Sequence, residues 1–141
     1  MGVIRHLDED NIERLLRTSI VGRIACCDHG SGGGDGRPYV VPLAYGYDGG
    51  SIYAHSGPGK KLNFMRANPL VTVEVDEATA PDRWSSVIAE GVLEELTNPT
   101  ARQAALQFIY PPPQPVPELG AHTVVYRIRL TAKSGRYETP E

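Results

Sequence analysis

The chain has 141 residues, and its 15 glycines and 12 prolines make about 19% of it, against roughly 12% in average usage. With 40% hydrophobic residues, and the Gly and Pro scattered between apolar runs, this excess marks short elements joined by tight turns, not disorder. A net charge of −3 and a pI near 5.8 leave no electrostatic footprint for non-specific nucleic-acid binding, and no apolar run approaches the roughly 18 residues of a membrane-crossing helix.

The opening MGVIRHLDEDN lacks the apolar segment of a signal peptide, so a cytoplasmic location is expected. Length predicts a single domain over residues 1–141. Residues 8–17 read as a helix with Ile12, Leu15 and Leu16 on one face, capped by Asp8 or Asp10. Residues 20–27 read as a strand, and the loop GSGGGDGR that follows as a long mobile hairpin connection. Strands are predicted over 39–45 and 52–55, joined through the Asp48-Gly49-Gly50 turn. Gly57-Pro58-Gly59 opens a short helix over 60–67, which Asn68-Pro69 ends because the residue before proline avoids the helical region.

Residues 70–76 alternate, with Val71, Val73 and Val75 on one face. Residues 84–96 form a long strand in which Gly91 marks a bulge or a close backbone approach. Asn98 caps a helix with Pro99 as its first residue, running to about Ile109. PPPQPVPELG is an extended connector, and 122–131 is the last strand. Six strands and three helices, with hairpin turns in place of strict βαβ alternation, predict an α+β fold built on a mainly antiparallel barrel.

Cys26 and Cys27 are adjacent and point to opposite faces of a strand, so they form no disulfide framework. With His29 they give a Cys/His pair lacking the second cluster that zinc needs, and no metal site is expected. The glycine-rich loop does not satisfy G-x-G-x-x-G and precedes a strand, not a helix. Gly59-Lys60 falls short of a P-loop, because Ala54 stands where its first Gly is required and Lys61 where Ser or Thr is. The segment from His55 to Lys61 is more informative. Free N–H groups at a helix start, the positive end of the dipole and two ammonium groups make a phosphate site. The bland alternatives are a solvated lysine face and a structural histidine.

The ordered series GRPYVVPLAYGYDGGSIYAHSGPGKKLNFMRANPLVTVEV and WSSVIAEGVLEEL resembles the pyridoxamine 5'-phosphate oxidase-like superfamily of FMN-binding split barrels. Within it the chain looks closest to the group that includes nitroimidazole-resistance proteins. The resemblance covers residues 20–97 and, more loosely, the final strand with Lys133-Ser134-Gly135-Arg136. It implies a six-stranded split β-barrel, mainly antiparallel with a few peripheral helices. It also implies a homodimer with FMN at the interface, and an oxidoreductase activity on a small molecule.

Carried over residue by residue, Val41, Pro42 and Leu43 match the strand whose backbone lies along the flavin ring. Proline in that strand signals a bulge or a ladder that does not continue. Ala54, His55 and Ser56 match the strand end beside the ring and ribityl chain, and Lys60 and Lys61 the basic pair on the phosphate. Ser85 and Ser86 match a polar contact to the flavin. Trp84 either covers the ring or serves a core or dimer contact. His55 also matches the histidine at the ligand pocket of the nitroimidazole-resistance pattern, and so is the candidate active-site residue.

Two departures matter. The oxidases proper usually carry an Arg near Val41 and a C-terminal segment with Trp and Arg, so pyridoxine phosphate oxidation is not expected here. Three other readings stay open from sequence. The same barrel in its relatives takes a deazaflavin or haem; the chain binds or sequesters FMN without catalysis; or it is an interaction module.

Overall fold

The alternation of Val71, Val73 and Val75 with polar neighbours seals one side of their strand and leaves the other open. The computed structural model describes residues 2–141. In chain order its elements are β1 (Gly2–His6), α1 (Glu9–Thr18), β2 (Val21–Cys26), β3 (Tyr39–Ala44), β4 (Gly46–Tyr47), β5 (Ser51–Ser56), α2 (Lys60–Ala67), β6 (Leu70–Ala80), β7 (Arg83–Leu96), α3 (Pro99–Ile109) and β8 (Val124–Pro140).

All pairings are antiparallel, in the order β3-β2-β6-β7-β8-β5-β4, with β1 added beside β8. The two ends of that path, β3 and β4, are consecutive in the chain with only Tyr45 between them. The sheet must therefore curl until its edges meet at that corner. This is the predicted split barrel, with eight strands where six were expected. β4 is only two residues long, and β1 lacks alternation and exists by pairing with the C-terminal half of β8. That same half, residues 132–140, continues the last strand past its predicted end at 131 because β7 flanks it on one side and β1 on the other. The ladder between β7 and β8 shifts register between Glu90 and Gly91, as the glycine predicted. A Cβ at Gly91 would sit 2.6 Å from the Arg129 carbonyl oxygen.

The barrel interior holds Ile24, Leu43, Ile52, Ala54, Val73, Val75, Val87, Tyr126 and Ile128, closed by Leu15 and Leu16 of α1 and by Leu62, Phe64 and Met65 of α2. A second, smaller cluster forms where Ala105 and Leu106 of α3 pack against Val125 with Tyr53 and Leu96 around them. Asp8, not Asp10, caps α1, its side chain accepting from the Asn11 N–H. Asn98 caps α3 in the same way, with Pro99 as its first residue.

Residues 30–36, expected as a mobile hairpin loop, are fastened from within. The buried Asp28 carboxylate accepts from the N–H groups of Gly32 and Gly34, at 2.7 and 2.9 Å. No helix among the described residues is long and apolar enough to cross a membrane.

Candidate functional site

α2 begins differently from the other two helices. Its N-cap is Gly59, with no side-chain cap and no acidic residue in the first turn. The N–H groups there are left to an external partner, at the positive end of the dipole. Added Cβ atoms at Gly57 and Gly59 would meet nothing within 4 Å, so the approach is open.

Lys60 and Lys61 leave this helix start in different environments. The Lys60 ammonium sits 4.8 Å from the Tyr39 ring centroid and 5.6 Å from that of Phe64, two rings in edge-to-face contact. Lys61 is half-buried, and burial pulls its pKa below the usual lysine value, with the nearby Cys26 thiol acting in the opposite direction. Among the described residues no carboxylate forms an ion pair with either ammonium. The cation of α2 that does pair is Arg66, which meets Glu95 at the other end of the helix.

β5 delivers the histidine. Along it Ile52 and Ala54 enter the barrel, while Tyr53 and His55 face α3. Tyr53 stacks on Phe108 with centroids 5.0 Å apart. His55 Nε2 lies 2.7 Å from the Tyr110 hydroxyl at the end of α3. Burial and then the Lys61 cation push the His55 pKa down, so the ring is neutral near pH 7. Ser56 turns its hydroxyl to the Gly57 carbonyl, 2.9 Å away.

β3 lines the sheet edge. Val41 and Leu43 turn inward onto the core, and Pro42 is exposed. No register shift interrupts its ladder with β2, so the proline marks an edge, not a bulge. Its outer backbone has no neighbouring strand.

Ser85 and Ser86 lie apart from all of this. His55 is level with Val125, which pairs with Leu96 at one end of β7, whereas Ser86 pairs with Arg136 ten residues further back along that strand. That is about 33 Å of strand contour. Ser86 donates to Glu74, 2.8 Å away, and the Trp84 indole N–H donates to Glu138, also at 2.8 Å.

Sequence reading did not single out Tyr39 or Tyr110. Tyr39 carries no local signal, and the Tyr110 contact spans 55 positions from a residue that precedes proline.

The molecule is thus an antiparallel split barrel with an uncapped, lysine-bearing helix start beside its edge strand. The family described as pyridoxamine 5'-phosphate oxidase matches residues 8–137, and the chain belongs to that family. A solved structure described as an FAD-binding protein of Mesorhizobium loti is 37% identical, with a TM-score of 0.75 over 97% of this chain and 99% of that one. A structure described as a 5-nitroimidazole antibiotic resistance protein of Bacteroides thetaiotaomicron shares the fold, with a TM-score of 0.84 and 20% identity over 98% of this chain and 89% of that one. A protein of Rhizobium meliloti is 31% identical over 93 residues, covering 66% of this chain. The match spans 58% of that relative's own length, less than two thirds of it.

Proposed function

We propose that this chain is an FMN-binding oxidoreductase acting on a small molecule. The observation that carries the reading is the start of α2. Uncapped N–H groups, two lysines without carboxylate partners and open space at Gly57 and Gly59 fit a phosphate monoester. A phosphate there would also offset the burial that works against the Lys61 charge. In this reading Lys60 and Lys61 hold the phosphate, Ala54, His55 and Ser56 run beside the ribityl chain and ring, and the edge backbone at Val41, Pro42 and Leu43 borders the isoalloxazine. When bound, the flavin supplies hydride transfer; the protein's part is binding, orientation and exclusion of water. His55, neutral near pH 7, hydrogen-bonds the substrate or ring.

The functional unit is a homodimer. Ser86 stands ten residues down β7 from the level of His55, which supports a reading in which the serines at a flavin come from a second copy. Exposed Val21, Val40 and Ile88 give the contact apolar surface. Sedimentation equilibrium is expected to give twice the monomer mass, and a monomer that binds flavin with full affinity would overturn the interfacial site.

A second reading has FAD in place of FMN, favoured by the description of the Mesorhizobium loti relative. Chromatography of the flavin released on denaturation separates the two. The phosphate assignment is tested by titrating FMN and riboflavin against the Lys60→Ala/Lys61→Ala double variant. FMN affinity should fall about 10- to 100-fold with riboflavin little changed, since charge-assisted bonds to the phosphate contribute about 1.5–3 kcal/mol. Equal losses for both ligands argue against the site. Turnover of NAD(P)H with a nitroaromatic acceptor, lost in His55→Ala, separates an enzyme from a flavin-sequestering protein.

A further inference from the structure

We propose that Tyr110 is a positioning residue that fixes His55 as its Nδ1–H tautomer, so that the ring offers a ligand a hydrogen-bond donor and not an acceptor. The pair is built from two elements, β5 and the end of α3, with His55 Nε2 and the Tyr110 hydroxyl 2.7 Å apart and the rings inclined by 28°. Two arrangements satisfy that distance: the phenol donates to an unprotonated Nε2, or an Nε2–H donates to the phenol oxygen. The phenol is a far stronger acid than the N–H of neutral imidazole, and the imidazole nitrogen a far better acceptor than the phenol oxygen. The phenol therefore donates, and the ring proton resides on Nδ1.

The surroundings leave this assignment unopposed. Across the ladder His55 meets Val125, with Leu96 beyond it, both apolar. The charged group facing it from α2 is the Lys61 cation, and the group that meets it at the end of α3 is Tyr110. Among the described residues no carboxylate bonds to the ring or acts on its charge to draw a proton onto Nε2. Nδ1 has no protein hydrogen-bond partner among the described residues, and the ring is only half-buried. A ligand at this end of the barrel thus meets a single, fixed donor, suited to an accepting oxygen such as a carbonyl or nitro group. The placement of that ligand rests on the flavin reading above; the tautomer does not.

The experiment is nitrogen NMR on protein labelled in its four histidines, with His55→Asn to assign the signal. Without any ligand, wild-type His55 should show the Nδ1–H pattern, a measurement that does not depend on the Tyr110 variant. In Tyr110→Phe the pattern should move toward Nε2–H. The titration midpoint should also rise, because the lost bond favours the neutral ring. Adding FMN should then shift the wild-type Nδ1–H signal. An Nε2–H pattern in wild type would overturn the tautomer assignment, and an unchanged Nδ1–H pattern in Tyr110→Phe would overturn the positioning role of Tyr110. Flavin that binds without moving Nδ1–H would overturn the donor role. Absence of flavin binding with the Nδ1–H pattern intact would remove the flavin reading and leave the positioning role standing.

Discussion

Lys133 on β8 donates to Glu13 on α1 across 2.7 Å, joining residues 120 positions apart in the chain. Its other two protons go to the Tyr47 hydroxyl and the Gly49 carbonyl, at 2.6 and 2.7 Å. The Tyr47 hydroxyl in turn donates to the second Glu13 oxygen. One ammonium thus pins the first helix, the β4–β5 turn and the last strand to one another. Burial raises the Glu13 pKa, but bonds from Lys133 and Tyr47 outweigh it and hold the carboxyl below its ordinary 4.5. Lys133→Met should lower stability by about 1–3 kcal/mol in urea unfolding, since it strands a half-buried carboxylate. A depressed carboxyl stabilises the fold above pH 4.5 and loses that contribution as pH falls through its folded value. The variant should therefore lose less stability than wild type on acidification.

The glycine loop has a comparable anchor in Asp28. Its N–H bonds, Gly34 first, hold the carboxyl below the usual 3.8 against the opposing effect of burial. Asp28→Ala should free the Gly32 and Gly34 amides, which are expected to exchange hydrogen well faster than in wild type. The protection of the same amides in wild type, taken against the intrinsic rate at each pH, should fall only below pH 3.8, when the carboxylate is lost. Unchanged exchange in the variant would mean that the loop is held by its own backbone turns.

In the proposed flavin reading Lys61 sets stability against binding. Its half-buried cation has no carboxylate partner, so the empty protein carries an uncompensated charge. Lys61→Met should raise the thermal midpoint of flavin-free protein by about 2–4 °C. It should also weaken FMN binding about tenfold, the loss of one charge-assisted contact. With its pKa below the ordinary 10.5, wild type gains stability as pH rises toward that value, and the variant should lack this gain. A variant that is both less stable and unchanged in FMN affinity would make Lys61 a structural residue.

What was legible in the sequence was what is decided locally. α2 spans residues 60–67 as expected, because Gly57-Pro58-Gly59 and Asn68-Pro69 bracket it with backbone restrictions that no tertiary contact needs to enforce. Its lysines and uncapped start were readable for the same reason. β6, by contrast, runs on past Asp76 to Ala80, where alternation has stopped and only the ladder to Trp84 and Ser85 keeps the chain extended. β1 and the second half of β8 exist by the same mutual pairing. The His55–Tyr110 pair was hidden because α3 crosses the outside of the barrel, an arrangement fixed by the Val125 cluster and by Gly46. There any Cβ would collide with the Phe108 carbonyl. The family's motif order pointed to Ser85 and Ser86 as flavin contacts, but it said nothing of how far down β7 they stand from the level of His55.

Tyr126 presents the opposite case to Lys133: a polar group in the core with nothing to bond. It is fully buried, level with Ala54 in the β5–β8 ladder, and its hydroxyl has no hydrogen-bond partner. An unpaired buried hydroxyl costs the fold its desolvation while its ring contributes packing. Tyr126→Phe keeps the ring and should leave stability unchanged or raise it by about 1 kcal/mol in urea unfolding. A loss of more than about 1 kcal/mol would mean that an internal water bridges the hydroxyl to a neighbour such as Cys26. Burial first, and then the Cys26 thiol, drive the phenol pKa far up, and burial raises that of Cys26 as well. In an alkaline spectrophotometric titration Tyr126 should therefore stay protonated until the protein unfolds. The Tyr126→Phe variant should match wild type up to that point and then show one ionising tyrosine fewer.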